Sequence, residues 1–110
     1  RRRMALYEMR QYEIRPGKME SWVALFNKEV LPFQISKGMV VAGAFRGEAD
    51  DSVFIWIRRF ESERHREQLY AAVYQDEFWK TRLSDRVGEH INRETIVCNR
   101  VLPLEMSVLK

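Results

Sequence analysis

The sequence predicts a single α+β domain whose elements run β, α, β, β, α, β. Three observations lead there. A strand-length alternating segment stops at Pro16-Gly17, and apolar residues then recur at helical spacing from Met19 to Phe33. Two further strand-like runs, 39–46 and 52–60, are separated only by a short polar turn. A chain of 110 residues accommodates one such domain with one modest core.

Residues 4–14 read as the first strand. Met4, Leu6, Glu8, Arg10, Tyr12 and Ile14 share one face, and Ala5, Tyr7, Met9, Gln11 and Glu13 share the other. The first set has a polar middle, Glu8 and Arg10, which a face packed on helices should not carry. Met19, Trp22, Val23, Phe26, Val30 and Phe33 then form one helical stripe. Pro32 predicts an end or a kink near Val30 and Leu31, and Gly38 closes the connection.

The turn Gly47-Glu48-Ala49-Asp50-Asp51 makes the next two strands an antiparallel hairpin. Phe54, Trp56 and Arg58 share one face of the second of them. Val53, Ile55 and Ile57 share the other, which is purely aliphatic and expected to be the core face. Ser62 is an expected N-cap for a second helix bearing Leu69, Ala72 and Val73. Asp76 can cap a shorter helix that stops at Gly88, and 95–102 reads as the last strand, ended by Pro103.

Two βαβ-type crossovers around a hairpin are the split arrangement of the ferredoxin-like sandwich. Right-handed crossovers put both helices on one side of the sheet. The other side is left uncovered and too apolar to stay wet, so a second copy is expected to cover it, making a dimeric α/β barrel.

Leu6-Tyr7-Glu8-Met9-Arg10-Gln11-Tyr12 followed by Pro16-Gly17-Lys18-Met19 resembles the Y-E-x-R-x-Y … P-G-K-M opening of NIPSNAP-family proteins. Phe54-Ile55-Trp56, Arg59-Phe60, the 64–66 stretch, Tyr74 and Phe78-Trp79 resemble that family's centre, and the 97–103 segment resembles its last strand. The resemblance implies the dimeric α/β barrel fold shared with cofactor-free and haem-degrading monooxygenases and some lactone isomerases. It implies no single reaction. This chain departs from the pattern at Phe54, where many relatives carry a polar residue or histidine.

Composition excludes several alternatives. Nineteen Lys and Arg face sixteen Asp and Glu, but Arg1, Arg2 and Arg3 supply the whole excess, so residues 4–110 are formally neutral. That domain is not the basic surface nucleic acid requires, and residues 1–3 are expected to be a flexible or non-native extension. No apolar run is long enough for a membrane span. Cys98 is the only cysteine, and His65 and His90 the only histidines, so no metal-ligand spacing is present and no cofactor is expected. The lone thiol fits a reducing, cytoplasmic setting.

Glu8, Arg10 and Tyr12 are the foremost site candidates. Together they offer an acceptor, a fixed charge and a proton donor. Arg10 and Tyr12 are assigned the catalytic roles, stabilising developing negative charge and orienting the substrate. Glu8, Phe54, Trp56 and Arg58 are assigned to ligand binding, the aromatics by stacking on a flat molecule inside the barrel. Structural readings stand beside these: Glu8 and Arg10 pairing with each other, and the aromatics packing an interface. His65 and His90 read as surface and loop residues. The expected function is a homodimer that binds a small, flat organic ligand, as a cofactor-free monooxygenase or isomerase; the alternative is a non-catalytic homodimeric interaction module.

Overall fold

Residues 5–110 are described by a computed structural model, and the expectation for residues 1–3 lies outside them. The chain runs β1 (Leu6–Ile14), α1 (Met19–Leu25), a π-helical turn (Phe26–Val30), α2 (Leu31–Ser36), β2 (Val40–Arg46) and β3 (Val53–Phe60). It continues as α3 (Glu63–Tyr74), a second π-helical turn (Trp79–Leu83), α4 (Ser84–Gly88) and β4 (Ile91–Val101). The four strands pair in the order β2-β3-β1-β4, every neighbour antiparallel. This is the ferredoxin-like sandwich.

Local chemistry explains where the elements begin and end. Ser62 is extended and its hydroxyl accepts from the His65 N–H at 3.1 Å, the expected cap of α3. Asp76 Oδ1 accepts from the Phe78 N–H at 2.7 Å and opens the last helical stretch. Pro32 does not end its helix. The chain widens into a π turn just before it, where the Leu31 N–H reaches back to the Phe26 carbonyl, and helix continues to Ser36. β4 starts at Ile91, earlier than expected. An irregularity opposite Gln11 and Glu13 absorbs the polar run Asn92-Arg93-Glu94 that hid this first half of the strand.

The largest departure concerns which sheet face the helices cover. Trp22 and Phe26 pack against Tyr12, Phe54 and Trp56, with Leu83, Val87 and Ile91 closing the same cluster. Met39, Phe60, Leu69 and Val73 form a smaller one. The covered face is therefore the one carrying Glu8, Arg10, Tyr12, Phe54, Trp56 and Arg58, and not the aliphatic face of Val53, Ile55 and Ile57. Large aromatics fill the depth between sheet and helices, while Arg58 can be buried there because its cross-strand neighbour is an acid.

The aliphatic face lies open in the single chain. Val40, Phe45, Met9 and Val97 are exposed on it, and Val53, Ile55 and Ile57 are half-buried. The Phe45 ring lies across Gly43, where a Cβ would come within 2.8 Å of the ring, so only glycine permits this approach. Tyr7 is buried on this side by the C-terminal segment, and the Arg59 Nε donates to the Lys110 carbonyl oxygen at 2.6 Å.

Candidate functional site

Strand register assembles the site. β1 and β3 place Glu8 opposite Arg58, Arg10 opposite Trp56, and Tyr12 opposite Phe54, so all six predicted residues project toward the helices. None lines the open sheet face, which is where a ligand inside a barrel would sit.

Glu8 and Arg58 are completely buried. Arg58 donates to Glu8 Oε1 through Nη2 at 2.8 Å and Nε at 3.2 Å, while Arg66 Nε donates to Oε2 at 2.6 Å. The Tyr70 hydroxyl donates to the same carboxylate at 2.7 Å. The remaining Arg58 nitrogen, Nη1, donates to Gln34 Oε1 at 3.0 Å and to the Tyr74 hydroxyl at 2.9 Å. Arg66 also lies over the Tyr70 ring, 4.2 Å from its centroid. Every lone pair and donor of the Glu8–Arg58 pair is thereby engaged, which is the condition under which a buried ion pair is tolerated.

Protonation follows from this arrangement. Burial pushes the Glu8 carboxyl up, but the Arg58 charge and the hydrogen bonds from Tyr70, Arg66 and Arg58 outweigh it and hold the group below the usual carboxylate range. Burial pushes the Tyr70 phenol up to about 12, with its hydrogen bond to Glu8 adding to the rise and Arg58 opposing it. Tyr70 thus stays a donor. For Arg10, burial acts against the charge and the tyrosines Tyr12, Tyr70 and Tyr74 more than offset it, so its pKa is raised.

Gln34, Arg66, Tyr70 and Tyr74 were not among the sequence-derived candidates. A signal for three of them exists, because Arg66, Tyr70 and Tyr74 are spaced by four and share one stripe of α3. The other end of the covered face is aromatic: Tyr12 stacks on Phe54 with centroids 6.2 Å apart, and Phe26 meets Trp56 edge-on at 5.2 Å. Phe54 and Trp56 are sealed in this cluster. His65 Nδ1 accepts from the Glu61 N–H, and His90 Nδ1 lies 2.7 Å from the Arg86 carbonyl, so both serve local turns.

Access comes from two sides. α3 lies over β3, and α4 packs on the Ile91 end of β4. Past Ile96, which packs on the core, β4 stays uncovered there, and Cys98 and Arg100, opposite Arg10 and Glu8, are exposed. A groove of about 360 Å³ runs along α3 with Arg66, Tyr70 and Tyr74 in its wall. Among the described residues no group of His, Cys, Asp and Glu could hold a metal ion, and no helix is long and apolar enough to cross a membrane.

The family model for NIPSNAP matches residues 7–106. The chain belongs to the NIPSNAP family. It is similar to a NIPSNAP family protein from Agrobacterium tumefaciens, with 24% identity, TM-score 0.87, and coverage of 100% of this chain and 95% of that one. A second A. tumefaciens NIPSNAP protein, of unknown function, gives 20% identity and TM-score 0.89 over 100% and 97% of the two chains. A candidate antibiotic biosynthesis monooxygenase from Nitrosomonas europaea gives 9% identity and TM-score 0.70 over 97% of each chain, a likeness of fold alone. No curated protein matches the chain. The NIPSNAP match takes in both the Glu8–Arg58 pair and the Arg66–Tyr70–Tyr74 stripe that surrounds it.

Proposed function

We propose that two copies pair through their open sheet faces into an α/β barrel, and that each copy binds a small, flat organic ligand between sheet and helices. The observation that carries the ligand reading is the contrast between a completely satisfied Glu8–Arg58 frame and the half-buried Arg10 and buried Tyr12 beside it, under an uncovered stretch of β4. A rigid polar wall next to a reachable guanidinium is how a binding site is preorganised. Phe54 is packed on all sides and acts as support. The chemistry such a site suits, without a cofactor, is proton transfer at an electron-rich substrate or its oxygenation by O2, in which the substrate supplies the electrons and the second oxygen atom leaves as water. Arg10 stabilises the developing charge and Tyr12 orients the substrate.

Pairing is supported by the open face itself. Val40, Phe45, Met9 and Val97 are exposed beside Ile55 and Ile57, and Leu102, Leu104, Met106 and Val108 extend this apolar surface along the C-terminal segment. A patch of this kind is costly to leave in water. The exposed Cys98 suits a reducing, cytoplasmic compartment.

Both parts can be tested on the whole chain. Sedimentation equilibrium should show a dimer that Ile57→Arg converts to monomer with its circular dichroism intact; a wild-type monomer refutes pairing. Flat bicyclic aromatics should slow alkylation of Cys98 by iodoacetamide, because they would lie over β4 beside it. A panel in which none protects Cys98 rules out the ligand site.

A further inference from the structure

The geometry points to a planar organic carboxylate as the molecule this site takes, with Arg10 as its receptor; this rests on the ligand reading above and names the ligand's class. The reasoning is a charge balance. On the covered face and its rim stand the guanidiniums of Arg10, Arg58, Arg66 and Arg100, against the carboxylates of Glu8 and Glu63 and, in the wall of the α3 groove, Glu67. Glu8 is taken by Arg58 on one oxygen and Arg66 on the other, and Glu63 is shared by Arg66 and Arg100. Among the described residues, no carboxylate is paired with Arg10.

Among the described residues, the only side-chain hydrogen-bond partners of Arg10 are hydroxyls. Its Nε lies 3.4 Å from the Tyr12 oxygen and its Nη1 lies 3.5 Å from the Tyr70 oxygen, both at the long limit of a hydrogen bond. The Tyr70 oxygen already accepts from Arg58 at 2.7 Å and its proton serves Glu8, so it is a poor partner for a second cation. A guanidinium has five donors in a planar fork, and on this half-buried one only Nε and Nη1 reach a protein group among the described residues. A carboxylate matches that fork with two parallel hydrogen bonds.

The neighbours of Arg10 specify the rest of the molecule. On one side across the sheet is Trp56, sealed in the aromatic cluster, which closes the site there. On the other is Cys98, small and exposed, which leaves the approach open. The Tyr12 ring centroid lies 5.7 Å from the Arg10 guanidinium carbon, and Tyr70 stands above it from α3. The Tyr12 ring face beside a cation that has no ion-pair partner among the described residues favours a conjugated, planar anion over a flexible aliphatic or a phosphate ester.

Naphthalene-2-carboxylate and naphthalene-2-carboxamide, equal in shape and unlike in charge, test this on the whole chain. Calorimetry should give the carboxylate an affinity about tenfold or more above the amide, and that advantage should shrink as salt is raised. Both probes should slow Cys98 alkylation. Arg10→Gln should bring the carboxylate down to the amide's level and leave the amide within about twofold, while Arg10→Lys keeps part of the preference by retaining the charge without the fork. Equal affinity of the two probes for the wild-type chain, with Cys98 protected by both, overturns the carboxylate assignment and leaves the ligand site standing. Failure of both to protect Cys98 overturns the two together. Because the wild-type comparison decides the matter, a folding defect in Arg10→Gln does not weaken the test.

Discussion

The covered face of the sheet has two ends that solve the burial problem by opposite means. At one end Trp22, Phe26, Phe54 and Trp56 interlock as rings, without directional polar bonds. At the other, Glu8, Arg58 and Gln34, just as deeply buried, and the half-buried Tyr70 and Tyr74 form a hydrogen-bonded network. Ring packing is tolerant: each contact is worth little alone, and its loss is graded. A buried network is not tolerant, since removing one member leaves charges with no water to turn to. The polar end therefore specifies a single geometry, and it is the end that adjoins Arg10 and the groove along α3.

The largest effect should come from breaking the polar end at its only buried anion. Glu8→Gln leaves Arg58 buried and Arg66 half-buried without their counter-charge, and should cost about 3–5 kcal/mol in urea unfolding at fixed protein concentration. The same variant should change the response to acid. Folding holds the Glu8 carboxyl below its ordinary range, so its contribution is fully present above the unfolded value of about 4.3 and is lost as pH falls through the depressed native value. Wild type should lose stability across that acid window more steeply than Glu8→Gln. Equal acid slopes in the two proteins would mean that the network is not the acid-sensitive element. Phe26→Ala, at the aromatic end, should also cost about 3–5 kcal/mol, with the wild-type acid slope unchanged.

A smaller effect should follow when both charges are removed together. Glu8→Leu combined with Arg58→Met replaces the pair by apolar groups of similar length, which buried ion pairs often tolerate. Relative to the sum of the two single variants, the double variant should recover about 2 kcal/mol or more. Additive losses would show that Gln34, Tyr70 and Tyr74, and not the opposed charges, dominate the polar end.

Much of the fold was legible in the sequence because its signals are local. Ser62 and Asp76 cap their helices as their chemistry requires, α4 ends at Gly88 although that glycine takes no left-handed φ, and the alternation along β1 and β3 sorts their residues correctly into two sets. Which set faces the helices was not legible, for a physical reason. Charge on Glu8, Arg10 and Arg58 argued for water or ligand, and that inference fails when register brings an acid opposite a base. The register is a long-range property, joining residues 50 apart in the chain. The site was half legible for the same reason. The β1 candidates cluster as expected, but Tyr70 and Gln34 reach Arg58 from separate helices; only the four-residue spacing of Arg66, Tyr70 and Tyr74 hints at the first, and nothing in its own segment announces the second.

The smallest effect should come from Trp22→Phe, and it sharpens the comparison because it removes a polar atom from the apolar end. Trp22 is buried and its indole N–H has no hydrogen-bond partner among the described residues. An unsatisfied buried donor carries a desolvation penalty that the native chain already bears. Phenylalanine deletes that donor while giving up part of the ring's contacts with Phe26, Phe54 and Tyr12. The two changes oppose each other, so the net cost should be about 1 kcal/mol or less, well under the value for an ordinary large-to-small core change. Calorimetric unfolding of Trp22→Phe beside Phe26→Ala measures the difference. A loss as large as that of Phe26→Ala would show that the Trp22 N–H is engaged after all. The aromatic end would then depend on a directional bond as the polar end does.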